Sequence, residues 1–187
     1  MCGINGILHL DYKPVDQNQL VKMRDILEHR GPDDKGIYLQ NNIGLGHRRL
    51  SIIDTSAAGH QPFISDNGRY IIVFNGEIYN YQSFYPELKS KGITLKSGSD
   101  TEVLLKLYEL YGMKMLERLN GMFAFAIWDT LEKKLTLCRD RMGVKPLYYS
   151  FHQNTLFFAY SEEKTKNFET QTTMLKTVSI VKRIMIE

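Results

Sequence analysis

The chain has 187 residues, 43% of them hydrophobic and 24% charged, with a net charge of +3 from 24 basic and 21 acidic side chains. That length and composition suit one well-packed domain and exclude collagen-like, mucin-like and wholly disordered proteins. No apolar run approaches the roughly 20 residues that span a bilayer, and so balanced a charge argues for neither a nucleic-acid partner nor a membrane surface.

In chain order, the apolar residues Ile4, Ile7 and Leu8 predict a strand that starts almost at the N-terminus and ties it down. Val15 to Arg30 reads as a helix capped by Asp16, with Leu20, Met23 and Leu27 on one face and Gly31-Pro32 as the stop. Strand-like runs follow at Gly36–Leu39, Ile43–Ile53 and Arg69–Phe74. The last is β-branched and aromatic and suits a buried strand that Asn75-Gly76 should break. Tyr81 to Lys91 is expected to be helical. Pro86 is awkward in its interior, so the helix either starts near Tyr85 or kinks. Ser99 and Glu102 form a capping box for a helix that carries Val103, Leu104, Leu107, Tyr108 and Tyr111 inward and closes at Gly112. A short helix from Lys114 to Leu119 is expected next. Met122–Trp128 and Leu135–Cys138 read as strands joined by a polar turn, with two more at Pro146–Tyr149 and Leu156–Tyr160. Strands and helices fall in runs instead of alternating, which predicts an α+β fold with antiparallel sheets. From Ser161 to Thr177 the chain is polar and reads as a loose helix or a disordered tail.

The cysteines, Cys2 and Cys138, have neither metal-ligand spacing nor a disulfide pattern, which suits a reducing compartment. No charged and apolar leader opens the sequence, so the expected location is cytoplasmic.

Four positions carry potential chemistry. Cys2, once Met1 is removed, would hold a thiol and a free α-amine in one residue. An α-amine titrates near 7.7–8.0, roughly, and can take the thiol proton at neutral pH. Taken alone, Cys2 reads first as a small buried hydrophobe. Asn75-Gly76 is a hairpin signal by itself, but a carboxamide beside an unhindered glycine N–H also makes a pair of oxyanion donors. Arg49 is either a solvated cation or a clamp for a carboxylate. Asp100 either complements a helix dipole or holds a ligand ammonium. Together these groups suit a free α-amino acid whose side-chain carbonyl is attacked, and glutamine is such a molecule.

The sequence resembles the class II glutamine amidotransferase domain, nearest to that of glutamine-hydrolysing asparagine synthetases. The resemblance rests on MCGI at 1–4, HRGPD at 29–33, RLSIID at 49–54, HQPF at 60–63, FNGEIYNY at 74–81, SDTEV at 99–103, LNGMFAFAIWD at 119–129 and RDRMGVKPLYY at 139–149. It implies an N-terminal nucleophile hydrolase fold, a four-layer αββα sandwich, over residues 1–160. It implies Cys2 as nucleophile and Asn75 and Gly76 as the oxyanion hole. It places Arg49 on the substrate carboxylate, Glu77 and Asp100 near its amine, and Leu50, Ser51, Ile52 and Ile53 along its wall. HRGPD is expected to close over L-glutamine. The glutaminase step is expected to need no metal or other cofactor.

The resemblance fades after Phe158-Ala159-Tyr160-Ser161-Glu162-Glu163-Lys164, where the family runs Phe-Ala-Ser-Glu-x-Lys. Residues 161–187 are therefore read as an atypical tail. The sequence holds no S-G-G-x-D-S loop and no Walker A motif, so ATP and Mg are expected only on a synthetase domain or subunit outside it. The alternatives are a catalytically silent module that binds glutamine or a partner, or a glutaminase serving another acceptor. His29, His47 and His60 are assigned no role, and Cys138 is expected in the core.

Overall fold

Residues Gly121–Asp129 show how the sequence lays down the fold. Side chains of a strand alternate between its two faces. Phe123, Phe125 and Ile127 accordingly join one apolar cluster, while Ala124, Ala126 and Trp128 join another. A strand that buries both faces must be sandwiched.

The computed structural model describes residues 1–160, 176–177 and 181–185. Its strands are β1 (Gly3–His9), β2 (Asp34–Gln40), β3 (Ile43–Arg49), β4 (Phe63–Ile64), β5 (Tyr70–Ile78), β6 (Gly121–Asp129), β7 (Lys134–Arg139), β8 (Tyr148–His152), β9 (Thr155–Ala159), β10 (Lys176–Thr177) and β11 (Val181–Met185). Its α-helices are α1 (Gln17–Asp25), α2 (Tyr85–Ser90) and α3 (Asp100–Tyr111). The first sheet has the order β10-β8-β9-β1-β3-β2 and the second β11-β7-β6-β5-β4. Every pairing described is antiparallel.

The two sheets meet through Ile4, Leu8 and Leu45 on one side and Ile71, Val73 and Trp128 on the other, all buried. Leu20 and Met23 of α1 pack on the outer face of the first sheet, against Ile7 and Phe157. Leu88 of α2 and Val103, Leu104 and Leu107 of α3 cover the outer face of the second, against Ile72, Phe74 and Phe125. The result is the expected α+β sandwich with helical layers outside two antiparallel sheets. Burying four such faces is the main source of stability, at about 25 cal/mol per Å² of apolar surface.

Several boundaries differ from expectation. β5 does not break at Asn75-Gly76; it continues to Ile78, with Asn75 opposite Ala124 and Gly76 opposite Phe123. The ladder to β6 outweighs the local turn preference. α1 ends at Asp25, and a separate 3₁₀ turn at Glu28–Arg30 redirects the chain, after which Asp33 N–H donates to the Arg49 carbonyl. β3 stops at Arg49 rather than Ile53, because the Arg49 guanidinium donates to the carbonyls of Asp54 and Ser56 and curls residues 50–56 around itself. Tyr81–Phe84 is a 3₁₀ turn, and Pro86 falls in the first turn of α2, where a missing N–H is harmless. β8 begins at Tyr148, two residues later than expected. The loose helix or tail expected over 161–177 lies outside the described residues, apart from Lys176–Thr177, which pairs with β8. β11 pairs with β7 and buries Ile184 between the sheets. Among the described residues, no helix is long and apolar enough to cross a membrane.

Candidate active site

Cys2 precedes β1, which lies between β3 and β9 in the first sheet. Its position is therefore set by two neighbouring strands rather than by a free terminus. Leu50 N–H points at the Cys2 sulfur at 3.4 Å. Burial pushes the thiol up; the Leu50 N–H, the chain's amino terminus and Arg49 pull it back, and Asp100 adds an upward push. On balance the thiol holds its proton, so it needs a base to become a nucleophile.

Across the sandwich, Asn75 alternates with Ile71 and Val73 on the inner face of β5 and is buried. Its Nδ2 has no hydrogen-bond partner among the described residues. A buried amide donor left unpaired is costly, on the order of 1–3 kcal/mol, unless a ligand completes it. Gly76 follows. A Cβ there would sit 2.3 Å from the Met122 carbonyl oxygen and 2.6 Å from the Phe123 Cα, so only glycine lets β5 lie this close to β6.

Arg49 is buried, and among the described residues its guanidinium hydrogen-bonds only to carbonyl oxygens, those of Asp54 and Ser56. Gly59 makes room for it: a Cβ at that position would collide with Nη2. Arg49 forms no ion pair among the described residues, which leaves a desolvated positive charge free for an incoming carboxylate.

Asp100 opens α3 behind the cap Ser99, whose hydroxyl accepts the Glu102 N–H at 3.3 Å. The Glu102 carboxylate does not close a standard capping box. It accepts Lys96 N–H, Ser97 N–H and the Ser97 hydroxyl, and so fixes the loop leading into Asp100. Asp100 Oδ2 accepts the Ile78 N–H at 2.9 Å. Burial pushes its carboxyl up to about 6, the Ile78 and Thr101 amides oppose that, and Glu77 adds to it. Neither Glu77 nor Asp100 has a cationic partner within ion-pair distance among the described residues. An ammonium placed between them would relieve both.

Cys2, Arg49, Asn75, Gly76, Glu77 and Asp100 line one cavity, walled by Leu50, Ile52 and Ile53. Ser51 does not line it. Its N–H donates to Asp33, and it borders a separate surface depression with Asp34 and His60. Gln61 and Lys145 are among the cavity residues that escaped the sequence reading. Gln61 accepts the Phe74 N–H at 2.7 Å and donates to the Thr101 hydroxyl, bridging β5 to α3. Lys145 enters the cavity from the loop after β7 and is 3% exposed. HQPF and GVKP carried these positions, but nothing in their local pattern marks a side chain that crosses between elements. Among the described residues, no three His, Cys, Asp or Glu side chains gather as a metal-ligand set.

A two-sheet sandwich that sets a cysteine at the head of a central strand, opposite an unsatisfied amide, has the form of an N-terminal nucleophile hydrolase. The solved glutamine phosphoribosylpyrophosphate amidotransferase from B. subtilis shares the fold, with a TM-score of 0.76 at 20% identity, covering 100% of this chain and 49% of that one. Residues 1–185 match the family model described as the glutamine amidotransferase domain. The chain belongs to that family. It is 44% identical over 168 residues to asparagine synthetase [glutamine-hydrolyzing] 1 of Bacillus subtilis, which covers 88% of this chain and 26% of the relative. It is 40% identical over 172 residues to the amidase chry2 of Gibberella zeae, covering 85% of this chain and 25% of that protein. The chain thus spans about a quarter of the length of these two curated relatives.

Proposed function

We propose that this chain is the glutaminase portion of an asparagine-synthetase-like protein, releasing ammonia from L-glutamine. The observation that carries the reading is the unsatisfied Asn75 carboxamide facing the same cavity as Cys2. After Met1 is removed, the Cys2 α-amine takes the thiol proton, and the sulfur attacks the side-chain carboxamide carbon. The carbonyl π electrons move onto oxygen, and Asn75 and Gly76 hold that oxyanion, at about 3–4 kcal/mol per donor in comparable acyl transfers. Collapse breaks the C–N bond; the nitrogen leaves as ammonia with the proton that the α-amine had taken. Water, deprotonated by the same amine, then cleaves the γ-glutamyl thioester to glutamate and restores the thiol. Arg49 takes the α-carboxylate, and Glu77 and Asp100 take the α-ammonium.

In this reading the glutaminase step uses no metal or cofactor. ATP and Mg belong to a synthetase domain or subunit, and asparagine is the product there. The names of the relatives support that acceptor. A reducing, cytoplasmic setting suits an enzyme whose two cysteines are both free thiols. The test is glutamate release by the purified chain, with intact mass to establish loss of Met1 and Cys2→Ala as control. Equal release by both forms removes the nucleophile. Binding of glutamine without turnover by the processed chain makes it a silent module.

A further inference from the structure

Lys145 has an unusual position for an ammonium. It is 3% exposed, yet it forms no ion pair among the described residues. A buried charge without a partner is strongly disfavoured and calls for a reason. Its Nζ is directed at the sulfur of Met1 and lines the cavity with Cys2.

The backbone holds it there firmly. Asp140, itself buried, accepts the Lys145 N–H at 2.9 Å, the Val144 N–H at 2.9 Å and the Phe123 N–H at 3.1 Å. Phe123 faces Gly76 in the ladder, so one carboxylate fixes both the lysine loop and the strand beside the oxyanion donors. A lysine kept only for packing would not need an anchored loop that delivers its charged end beside the residue to be removed.

We infer that Lys145 is a positioning residue whose ammonium, in the same cavity as Cys2, keeps the α-amine of Cys2 in its neutral, proton-accepting form once Met1 has gone. This rests on the glutaminase reading above. The reason is electrostatic: a fixed cation disfavours a second cation beside it and favours the thiolate. It acts through its field on the nitrogen and does not touch the substrate.

The surrounding charges are mixed. Arg30 comes from the 3₁₀ turn at Glu28–Arg30, stacks 3.9 Å over the Tyr160 ring, and lowers both Lys145 and the chain's amino terminus. Arg49 from β3 adds positive charge near Cys2. Glu77 from β5, Asp100 from α3, Asp33 and Asp140 act in the opposite sense. Burial first, then Arg30 and Lys145, press the Met1 amino terminus down, while Cys2 and Asp33 oppose them.

The experiment compares the Met1-processed chain with Lys145→Met, Lys145→Gln and Lys145→Arg. Two profiles are recorded against pH: kcat/KM for glutamine hydrolysis, and the rate of Cys2 alkylation by iodoacetamide. In the Met and Gln variants the acidic limb of both profiles should move up by about one pH unit, a roughly tenfold loss well below the limb and little loss at its plateau. The Arg variant should keep the limb near its original place. The inference is overturned if the limb stays put in the Met and Gln variants, or if Arg shifts it as far as they do. A uniform fall in kcat at all pH values marks a packing role and also overturns it. If the parent chain releases no glutamate, the glutaminase reading fails by itself, and the alkylation profiles still decide on Lys145.

Discussion

His47 Nε2 lies 3.0 Å from the carbonyl oxygen of Phe74, so a single imidazole ties β3 of one sheet to β5 of the other, immediately before Asn75. The carbonyl only accepts, which puts the proton on Nε2; Nδ1 is buried and has no partner among the described residues. Replacing His47 by Leu removes a buried hydrogen bond and should destabilise the fold by about 1–3 kcal/mol in urea unfolding. It also loosens the strand that aims the Asn75 amide. The expected kinetic result is a larger fall in kcat than rise in KM, because the oxyanion contact proposed for Asn75 would form only as the reaction proceeds. An unchanged kcat would separate His47 from the site.

Gly76→Ala tests the close approach of β5 to β6. The new methyl would sit 2.3 Å from the Met122 carbonyl oxygen, and backbone on both sides would have to move. The expected destabilisation is about 1–3 kcal/mol. Displacing an oxyanion donor should lower kcat by about a hundredfold or more. Wild-type turnover in this variant would mean that Gly76 N–H is not a donor.

Glu102 meets three donors from Lys96 and Ser97 with one buried carboxylate. Glu102→Gln turns one acceptor oxygen into a donor and sets it against N–H groups. A loss of about 1–3 kcal/mol follows from the unsatisfied amides. Because the same loop leads into Asp100, KM for glutamine should rise while kcat changes little. Calorimetry and initial rates read the two effects separately.

Much of this was legible because some patterns are local. The apolar run Met122–Trp128 marked a strand, which the structure buries on both faces, and Ser99 before Asp100 marked the start of α3. Cys2, Arg49, Asn75, Gly76 and Asp100 could be singled out as candidates by residue type, whereas Glu77 and Leu50–Ile53 entered only through the family resemblance. What escaped the reading depends on distant partners. Asn75-Gly76 is a turn signal until β6 lies beside it. Leu50–Ile53 is patterned as strand, and only the Arg49 guanidinium, reaching forward to Asp54 and Ser56, ends the strand early. Gln61 and Lys145 matter through contacts with Phe74 and Met1, far away in the chain.

Asp100 and His47 make opposing pH contributions. Burial pushes His47 down to about 4 from its usual 6.5. As pH falls through that window the unfolded chain takes up a proton that the folded one refuses, and stability drops by about 3 kcal/mol. Asp100 is pushed up to about 6 from 3.8. Here the folded chain binds the proton first, so stability rises by about 3 kcal/mol as pH falls from about 7 to 4. Asp66 and Glu87, both held down at about 2, begin to lose their stabilising contribution as pH falls through their ordinary values of 3.8 and 4.5. Between about pH 7 and 4 the His47 and Asp100 contributions should therefore largely cancel each other in the wild type, and removal of either group should tilt the profile. Asp100→Asn retains an oxygen for the Ile78 N–H and removes the buried charge. It should be more stable than wild type at pH 8 and lose that advantage by pH 4, while binding glutamine more weakly. His47→Leu should tilt the other way, its melting temperature rising as pH falls. Parallel pH profiles for all three proteins would show that neither buried group titrates with the fold.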